Sequence, residues 1–154
     1  MSERPWWRTA VIYEVYPRSF ADANGDGEGD IEGLRQRLPY LAELGVDALW
    51  IAPWYPSPMQ DGGYDVANYC NIDPRYGTLD DADRLIAEAA AFGIRVIIDL
   101  VANHCSEQHP WFQAALKAAP GSAERELFYF RDGLGEGGDT PPNNWISNFG
   151  GIGW

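Results

Sequence analysis

The chain has 154 residues, of which 45% are hydrophobic and 22% are charged, as in folded globular domains and unlike disordered chains. Its 23 acidic and 11 basic residues give a net charge of −12. This balance argues against nucleic acid or an anionic membrane as a partner, because both attract clustered Lys and Arg. The apolar runs are too short to span a bilayer, which takes about 20 residues.

The amino terminus and the two cysteines both indicate a cytoplasmic protein. The first eight residues lack the apolar core that a signal peptide needs. Cys70 and Cys105 are too few for a disulfide framework, so we expect both to be reduced thiols.

Three segments are predicted to form buried parallel strands, because they are almost continuously apolar and rich in β-branched and aromatic residues. They are residues 10–16, 46–52 and 94–101. An amphipathic helix is predicted between each pair of consecutive strands. The apolar stripe of the first helix consists of Ile31, Leu34, Leu38 and Leu41. The stripe of the second consists of Leu79, Ala82, Leu85, Ile86, Ala89 and Ala90.

The ends of these helices carry start and stop signals. Each helix is predicted to end at a glycine, Gly45 or Gly93. The residue after a helix commonly takes a positive φ, which favours glycine there. Thr78 and Asp81 form a variant of the capping box before the second helix. The repeated order of helix, glycine and strand is typical of a parallel α/β fold. A doubly wound nucleotide-binding fold would need a glycine-rich turn after the first strand, and none is present.

We therefore predict an α/β fold that comprises the first three strands of a (β/α)₈ TIM barrel. Residues 1–104 are assigned to the barrel. Residues 105–154 contain one predicted helix, residues 111–118, followed by a Gly- and Pro-rich stretch, and are assigned to the start of an inserted domain. Because a complete barrel takes about 250 residues, we expect the chain to be the amino-terminal part of a larger protein.

Oxygen-bearing side chains occupy every second position of the loop after the first predicted strand. Positions 1, 3, 5, 7 and 9 hold Asp22, Asn24, Asp26, Glu28 and Asp30. With glycine at position 6, this spacing matches the first half of a calcium loop. Gly33 stands where an EF-hand needs Glu, which excludes an EF-hand but not a smaller loop closed by Asp30. The segment is either a structural calcium or magnesium site or a solvated acidic turn.

Two other segments follow predicted strands, where the functional residues of barrels lie. Asp61 and Tyr64 flank two glycines, an arrangement that suits sugar binding by hydrogen bonds and ring stacking, or a simple glycine-rich turn. Asp99 interrupts the third strand and needs a partner, since burying an unpaired carboxylate is costly. His104 falls at the carboxyl end of that strand. Taken singly, Asp99 and His104 are each also consistent with a structural role.

Four motifs in the correct order resemble the α-amylase superfamily, glycoside hydrolase family 13. Residues 99–104 (DLVANH) resemble its first conserved region, and residues 13–20 with the loop at 22–30 resemble the segment before it. Residues 63–78 and 141–145 resemble its α-glucosidase and oligo-1,6-glucosidase branch. The resemblance covers essentially the whole chain.

The resemblance implies roles for individual residues. Asp61 and Tyr64 match an aspartate and a stacking tyrosine at the sugar whose bond is cleaved, and His104 matches a histidine that binds that sugar's primary hydroxyl. Asp99 and Asn103 match residues that support the site. The ligands of a calcium ion would be Asp22, Asn24, Asp26, the carbonyl of Glu28, and Asp30.

The resemblance further implies a retaining hydrolase of α-linked gluco-oligosaccharides or disaccharides, in which one carboxylate is the nucleophile and another the acid and base. In the family these residues follow later strands, beyond Trp154, so the 154 residues alone are expected to be inactive and only partly folded or aggregation-prone. A trehalose synthase, sucrose isomerase or transglycosylase of the same family is an alternative. Non-enzyme alternatives are a catalytically inactive sugar- or calcium-binding interaction module and a structural calcium-binding domain.

Overall fold

The structure, a computed structural model, describes residues 4–148 and 150–154. It divides into two compact units, Met1–Pro110 and Trp111–Trp154. None of the described helices is long and apolar enough to cross a bilayer.

The first unit contains one parallel sheet. Its strands β1 (Ile12–Val15), β2 (Ala48–Ile51) and β3 (Arg95–Ile98) lie side by side in chain order. The three predicted strands are confirmed, although each is shorter than predicted. Right-handed crossovers between strands in this order place the connecting helices on one face. This arrangement agrees with the predicted first part of a TIM barrel.

Four α-helices lie wholly within the described part of this unit: α1 (Pro17–Phe20), α2 (Ile31–Gln36), α3 (Leu38–Leu44) and α4 (Leu79–Ala91). A 3-10 helix, Trp6–Arg8, precedes β1. The sequence pattern predicted one helix where α2 and α3 lie, and this was wrong. The break falls at Arg37. Pro39 explains it, because proline lacks an N–H and its ring clashes with the carbonyl four residues before it.

The predicted signals at the helix ends are confirmed. The hydroxyl of Thr78 accepts the N–H of Asp81, and the carboxylate of Asp81 accepts the N–H of Thr78 at 2.8 Å, which completes a capping box on α4. Gly45 and Gly93 have φ values of 83° and 76°, a region that glycine enters without a steric penalty.

The two faces of the sheet differ in their surroundings. One face packs against α2, α3 and α4 in a single hydrophobic core. The largest fully buried side chains of the first unit are Val15, Ile31, Leu34, Leu38, Leu41, Leu49, Ile51, Val66 and Leu85. On the opposite face, Ile12 and Trp50 remain 43% and 37% exposed. The covered face thus fixes the strands whose carboxyl ends carry the candidate site.

The second unit has little regular structure beyond the helix predicted for residues 111–118, which is confirmed as α5 (Pro110–Lys117). The guanidinium of Arg125 lies 3.8 Å from the centroid of the Phe130 ring. Near the carboxyl end, the rings of Trp145 and Trp154 stack at 5.5 Å. The indole N–H of Trp154 donates to Oδ1 of Asn143 at 2.7 Å.

Candidate active site

The loops after β2 and β3 carry the residues predicted to bind sugar. The register pairs Ile51 with Ile98, the last residues of the two strands. Both loops therefore leave the sheet at the same edge, the carboxyl edge at which barrel enzymes place their sites.

Asp61 and Tyr64 are the ends of a four-residue turn. The N–H of Tyr64 donates to the carbonyl of Asp61 at 3.0 Å, and φ is 61° at Gly62 and 106° at Gly63. Two consecutive positive φ values favour glycine at both positions, since a Cβ would be strained in each. The predicted tight turn is confirmed, with both end residues half-buried.

Asp65 organises this turn, although it was not among the residues predicted for the site. Its carboxylate accepts the hydroxyl of Ser57 at 2.7 Å and the N–H groups of Gln60 at 2.9 Å and Asp61 at 3.2 Å. Burial opposes the charged form, but the bonds from Ser57 and the backbone outweigh it and hold the pKa of Asp65 below its ordinary value. An Asp beside glycines commonly accepts backbone N–H groups, and this signal could have identified Asp65.

An ion pair between a buried aspartate and a half-buried arginine closes the loop after β2. The carboxylate of Asp73 accepts the Nε and Nη2 of Arg75 at 2.8 Å and 2.6 Å and the N–H of Ser57 at 3.2 Å. Nη2 of Arg75 also donates to the carbonyl of Ser57 at 2.7 Å. The pair therefore joins the start of the loop to its end.

Asp99 lies directly after β3 and is half-buried. The hydroxyl of Tyr64 donates to its Oδ2 at 2.9 Å, which supplies the partner that the sequence analysis required. Burial, together with the hydrogen bond to Asp99 and its charge, raises the pKa of Tyr64. The hydroxyl therefore remains protonated, and a donor, at neutral pH.

Asn103 and His104 are exposed at the end of the same segment. Nδ2 of Asn103 lies 3.4 Å from Nδ1 of His104, at the long limit of a hydrogen bond. The carbonyl of His104 accepts the hydroxyl of Tyr69 at 2.7 Å. The structure thus brings Tyr64 and Asp99 into contact and places Asp61 and His104 on the two loops that carry them.

The acidic loop at residues 22–30 binds its own backbone. The carboxylate of Asp22 accepts the N–H groups of Gly25 at 2.6 Å and Gly27 at 2.8 Å. The bonds from Gly27 and Gly25 lower the pKa of Asp22. Farther along, Oδ1 of Asp26 accepts the N–H of Glu28 at 2.8 Å. These bonds fold the loop into successive turns and offset part of the repulsion between its carboxylates.

The two ends of this loop meet at a narrow neck. The N–H of Asp30 donates to the carbonyl of Ala21 at 2.9 Å, and its carboxylate caps α2 by accepting the N–H of Gly33 at 2.6 Å. A Cβ on Gly33 would lie 2.1 Å from the carbonyl oxygen of Ala21. The chain therefore needs glycine at this position, because α2 packs directly against the backbone of Ala21.

The donor set of the loop suits a hard cation, since every candidate ligand is an oxygen. Among the described residues, no three His, Cys, Asp or Glu side chains are grouped as an ion site would require. Two of the five predicted ligands are not side chains of these four types: the side-chain amide of Asn24 and the backbone carbonyl of Glu28. Asp22 and Asp26 are exposed and each carboxylate retains acceptor capacity beyond its backbone bonds.

Comparison with known proteins identifies the family. A family model of the α-amylase catalytic domain matches residues 14–154. The chain belongs to this family. It is 53% identical over 152 residues to a probable α-glucosidase from Rhizobium meliloti (strain 1021), a match that covers 99% of this chain and 27% of that protein. It is 54% identical over 149 residues to a trehalose-6-phosphate hydrolase from Escherichia coli (strain K12), covering 97% of this chain and 26% of that protein.

A solved structure of the same family confirms the fold. A trehalulose synthase variant in complex with the substrate sucrose matches 99% of this chain with a TM-score of 0.92 and 47% identity. This chain covers 27% of that structure. The chain therefore spans about a quarter of the length of these relatives.

The site of this α-amylase-family chain offers binding groups of several kinds. Asp61 presents a carboxylate that can accept sugar hydroxyls, Tyr64 a half-buried ring, and His104 an exposed imidazole. Asp99 accepts the hydrogen bond of the Tyr64 hydroxyl and is half-buried.

Proposed function

We propose that the complete protein is a retaining glycoside hydrolase that cleaves α-glucosidic bonds of oligosaccharides or disaccharides. The observation that carries this proposal is the Tyr64–Asp99 contact at the carboxyl edge of the sheet, beside a glycine turn that presents Asp61. In a chain of the α-amylase family, this edge is where a sugar ring would be held. Relatives named as hydrolases of α-glucosides support the same chemistry.

In this proposal Asp61, Tyr64 and His104 bind the ring whose bond is cleaved, and Asp99 and Asn103 support them. The nucleophile and the acid and base are carboxylates outside the 154 residues, so this chain alone does not turn over substrate. The partner is an α-linked gluco-oligosaccharide or disaccharide.

Assaying the complete protein on p-nitrophenyl α-glucoside tests the proposal. We expect turnover, and we expect Asp61→Ala and His104→Ala each to lower kcat/KM by about 10² or more, because each removes a hydrogen bond that orients the reacting ring. Proton NMR of the first product should show the α-anomer, as retention requires.

Asp83→Ala is a matched control, since Asp83 is exposed on α4, away from the two loops. Its kcat/KM should equal that of the wild type. Near-normal activity of both Asp61→Ala and His104→Ala would exclude the assigned roles. Sugar binding without any turnover would indicate a catalytically inactive interaction module instead.

A second candidate activity is isomerisation or transglycosylation of the same bonds. The similarity to a trehalulose synthase favours it, since that relative was solved in complex with the substrate sucrose. Chromatography of the products from sucrose distinguishes the two activities: free glucose and fructose indicate hydrolysis, and a new disaccharide indicates isomerisation.

We also propose that residues 22–30 hold a structural calcium ion, with magnesium as the alternative. The ligands would be Asp22, Asn24, Asp26, the carbonyl of Glu28, and Asp30. Their spacing and their oxygen donors support this proposal. So does the backbone hydrogen bond between Asp30 and Ala21, which holds the two ends of the loop together. A cation there would neutralise carboxylates that otherwise repel one another.

We propose a cytoplasmic location as well. Cys70 and Cys105 are both free thiols, and Cys70 is exposed. An exposed free thiol persists in a reducing compartment. Fractionation of cells that express the complete protein checks this proposal.

A further inference from the structure

Tyrosine hydroxyls from the loop after β2 bind the segment that follows β3. The hydroxyl of Tyr64 donates to the carboxylate of Asp99 at 2.9 Å, and the hydroxyl of Tyr55 donates to the carbonyl of Asp99 at 3.0 Å. One residue at the edge of the sheet is thus held through both its side chain and its backbone. β3 ends at Ile98, and the carbonyl of the next residue accepts a side-chain hydroxyl.

Tyr69 holds the same segment farther along. Its hydroxyl lies 2.8 Å from the carbonyl of Val101 and 2.7 Å from that of His104, so a single O–H is shared between two carbonyls three residues apart. The ring of Tyr69 lies 5.8 Å from that of Tyr55 and 5.6 Å from that of His109. These ring contacts fix the direction in which the hydroxyl points.

The segment needs such support, because most of its side chains face solvent. Leu100 is 73% exposed, and Asn103 and His104 are exposed as well. Backbone hydrogen bonds anchor its two ends, from the N–H of Asp99 to Ile51 and from that of Ser106 to Val66. Tyr69 acts between these anchors. Burial raises the pKa of Tyr69, so its hydroxyl is a donor at neutral pH.

We propose that Tyr55 and Tyr69 are positioning residues that hold the backbone of residues 99–104 and thereby orient Asp99 and His104 toward the substrate. The inference rests on the proposed function, because it assigns how the sugar-binding histidine is placed. Tyr69 acts through His104 and Tyr55 through Asp99; neither is assigned a contact with the sugar.

A double-mutant cycle in the complete protein tests Tyr69. The variants are Tyr69→Phe, His104→Ala and their combination, assayed on p-nitrophenyl α-glucoside. Tyr69→Phe keeps the ring and its contacts, so its Tm should fall only slightly, while kcat/KM should fall by about tenfold or more because the imidazole loses its fixed position. In the His104→Ala background, Tyr69→Phe should have almost no further effect on kcat/KM.

A role in stability alone predicts a lower Tm with an unchanged kcat/KM, and a role independent of His104 predicts that the two kinetic losses multiply. Either result would overturn the proposal. Tyr40→Phe is the matched control, because Tyr40 is 54% exposed on α3 and should tolerate the change in both measurements. Tyr55→Phe provides a second variant, whose kinetic loss should likewise disappear in an Asp99→Asn background.

Hydrogen exchange supplies a readout that does not depend on turnover. Amides of residues 100–105 should exchange about tenfold or more faster in Tyr69→Phe than in the wild type, because the segment loses its central tie. Unchanged exchange would overturn the proposal even in an active enzyme. If the wild type turns over no α-glucoside, the proposed function fails, and exchange still decides whether Tyr69 holds the segment.

Discussion

At the scale of single residues, Asp73 is a buried carboxylate that links the two ends of the loop after β2. It is 5% exposed and accepts hydrogen bonds from Arg75 and from the backbone of Ser57. Burial alone would raise its pKa, but the bonds and charge of Arg75 and the backbone N–H groups outweigh burial, so the pKa of Asp73 lies below its ordinary value. The ionised form therefore stabilises the folded state.

Asp73→Asn in the complete protein should remove about 2 kcal/mol from the free energy of unfolding at pH 7 and lower Tm by roughly 2 °C, since the shift is that loss divided by an unfolding entropy that grows with chain length. An Asp with a depressed folded pKa contributes stability above its unfolded pKa of about 3.9, and loses it as pH falls through the folded pKa. The Tm difference between wild type and variant should therefore narrow as pH drops below about 4. Thermal melts at pH 7 and pH 3 measure it.

The control for this variant is Asp83→Asn, in which an exposed carboxylate of α4 is changed in the same way. Its Tm should follow that of the wild type at both pH values. A Tm difference for Asp73→Asn that stays constant with pH would show that charge is not what Asp73 contributes.

The sequence identified some residues of the site and missed others for a physical reason. Asp61 and Tyr64 were found because their turn is local, with two glycines between them. Tyr55 and Tyr69 were missed because their partners are distant in the sequence. Tyr55 binds a residue 44 positions away, and Tyr69 binds residues 32 and 35 positions away. Local spacing carries no information about which side chains two neighbouring loops will bring together.

At the scale of elements, the apolar stripe of the first helical segment predicted burial correctly but not continuity. Ile31, Leu34, Leu38 and Leu41 are all fully buried. The helix nevertheless breaks at Arg37, where Pro39 cannot donate to the preceding turn. The spacing of apolar residues predicts which face of a helix packs against the core. It does not predict whether the backbone hydrogen bonds continue, and here Pro39 interrupts them.

The acidic loop is an element whose proposed ion can be tested by chelation. A ligand bound only by the folded state stabilises it, by about 2.7 kcal/mol at a concentration 100-fold above Kd. Removing calcium from the complete protein with EDTA should therefore lower Tm by several degrees, and re-adding calcium should restore it. Differential scanning calorimetry with and without chelator measures the change.

Asp26→Ala should abolish this response to EDTA, because it removes one proposed ligand. The hydrogen bond from the N–H of Asp30 to the carbonyl of Ala21 remains in this variant. Asp83→Ala, which changes an exposed carboxylate outside the loop, should keep the full response. Identical melting curves of the wild type with and without chelator would refute the calcium proposal.

At the scale of the whole molecule, the order of elements sufficed to predict the fold. Two repeats of helix, glycine and strand, with no glycine-rich turn after the first strand, favoured a barrel over a doubly wound sheet. The strand order β1-β2-β3 is compatible with both, and the match to the α-amylase catalytic domain confirms the barrel. The lengths of the strands were overestimated. Hydrophobicity continues past Ile98, but the strand ends there. The N–H of Asp99 still donates to Ile51, while the carbonyls of Asp99 and Val101 accept the hydroxyls of Tyr55 and Tyr69.

The same architecture leaves part of the sheet uncovered in this chain. Among the described residues, β1 and β3 each pair with β2 alone, so each has one edge of unpaired backbone groups. The face opposite the helices exposes Ile12 and Trp50. Exposed apolar side chains and two free strand edges are features by which sheets associate with one another.

The 154-residue chain expressed alone is therefore expected to self-associate or to fold only in part, and to hydrolyse no α-glucoside. It should elute from a size-exclusion column well ahead of a 17.2 kDa monomer and unfold in urea without a sharp transition. The double variant Ile12→Thr/Trp50→Gln should raise the monomer fraction, because it makes the uncovered face polar. Leu44→Gln is the control, since Leu44 is 53% exposed but lies on α3. A wild-type monomer with cooperative unfolding would show that the uncovered face does not drive association.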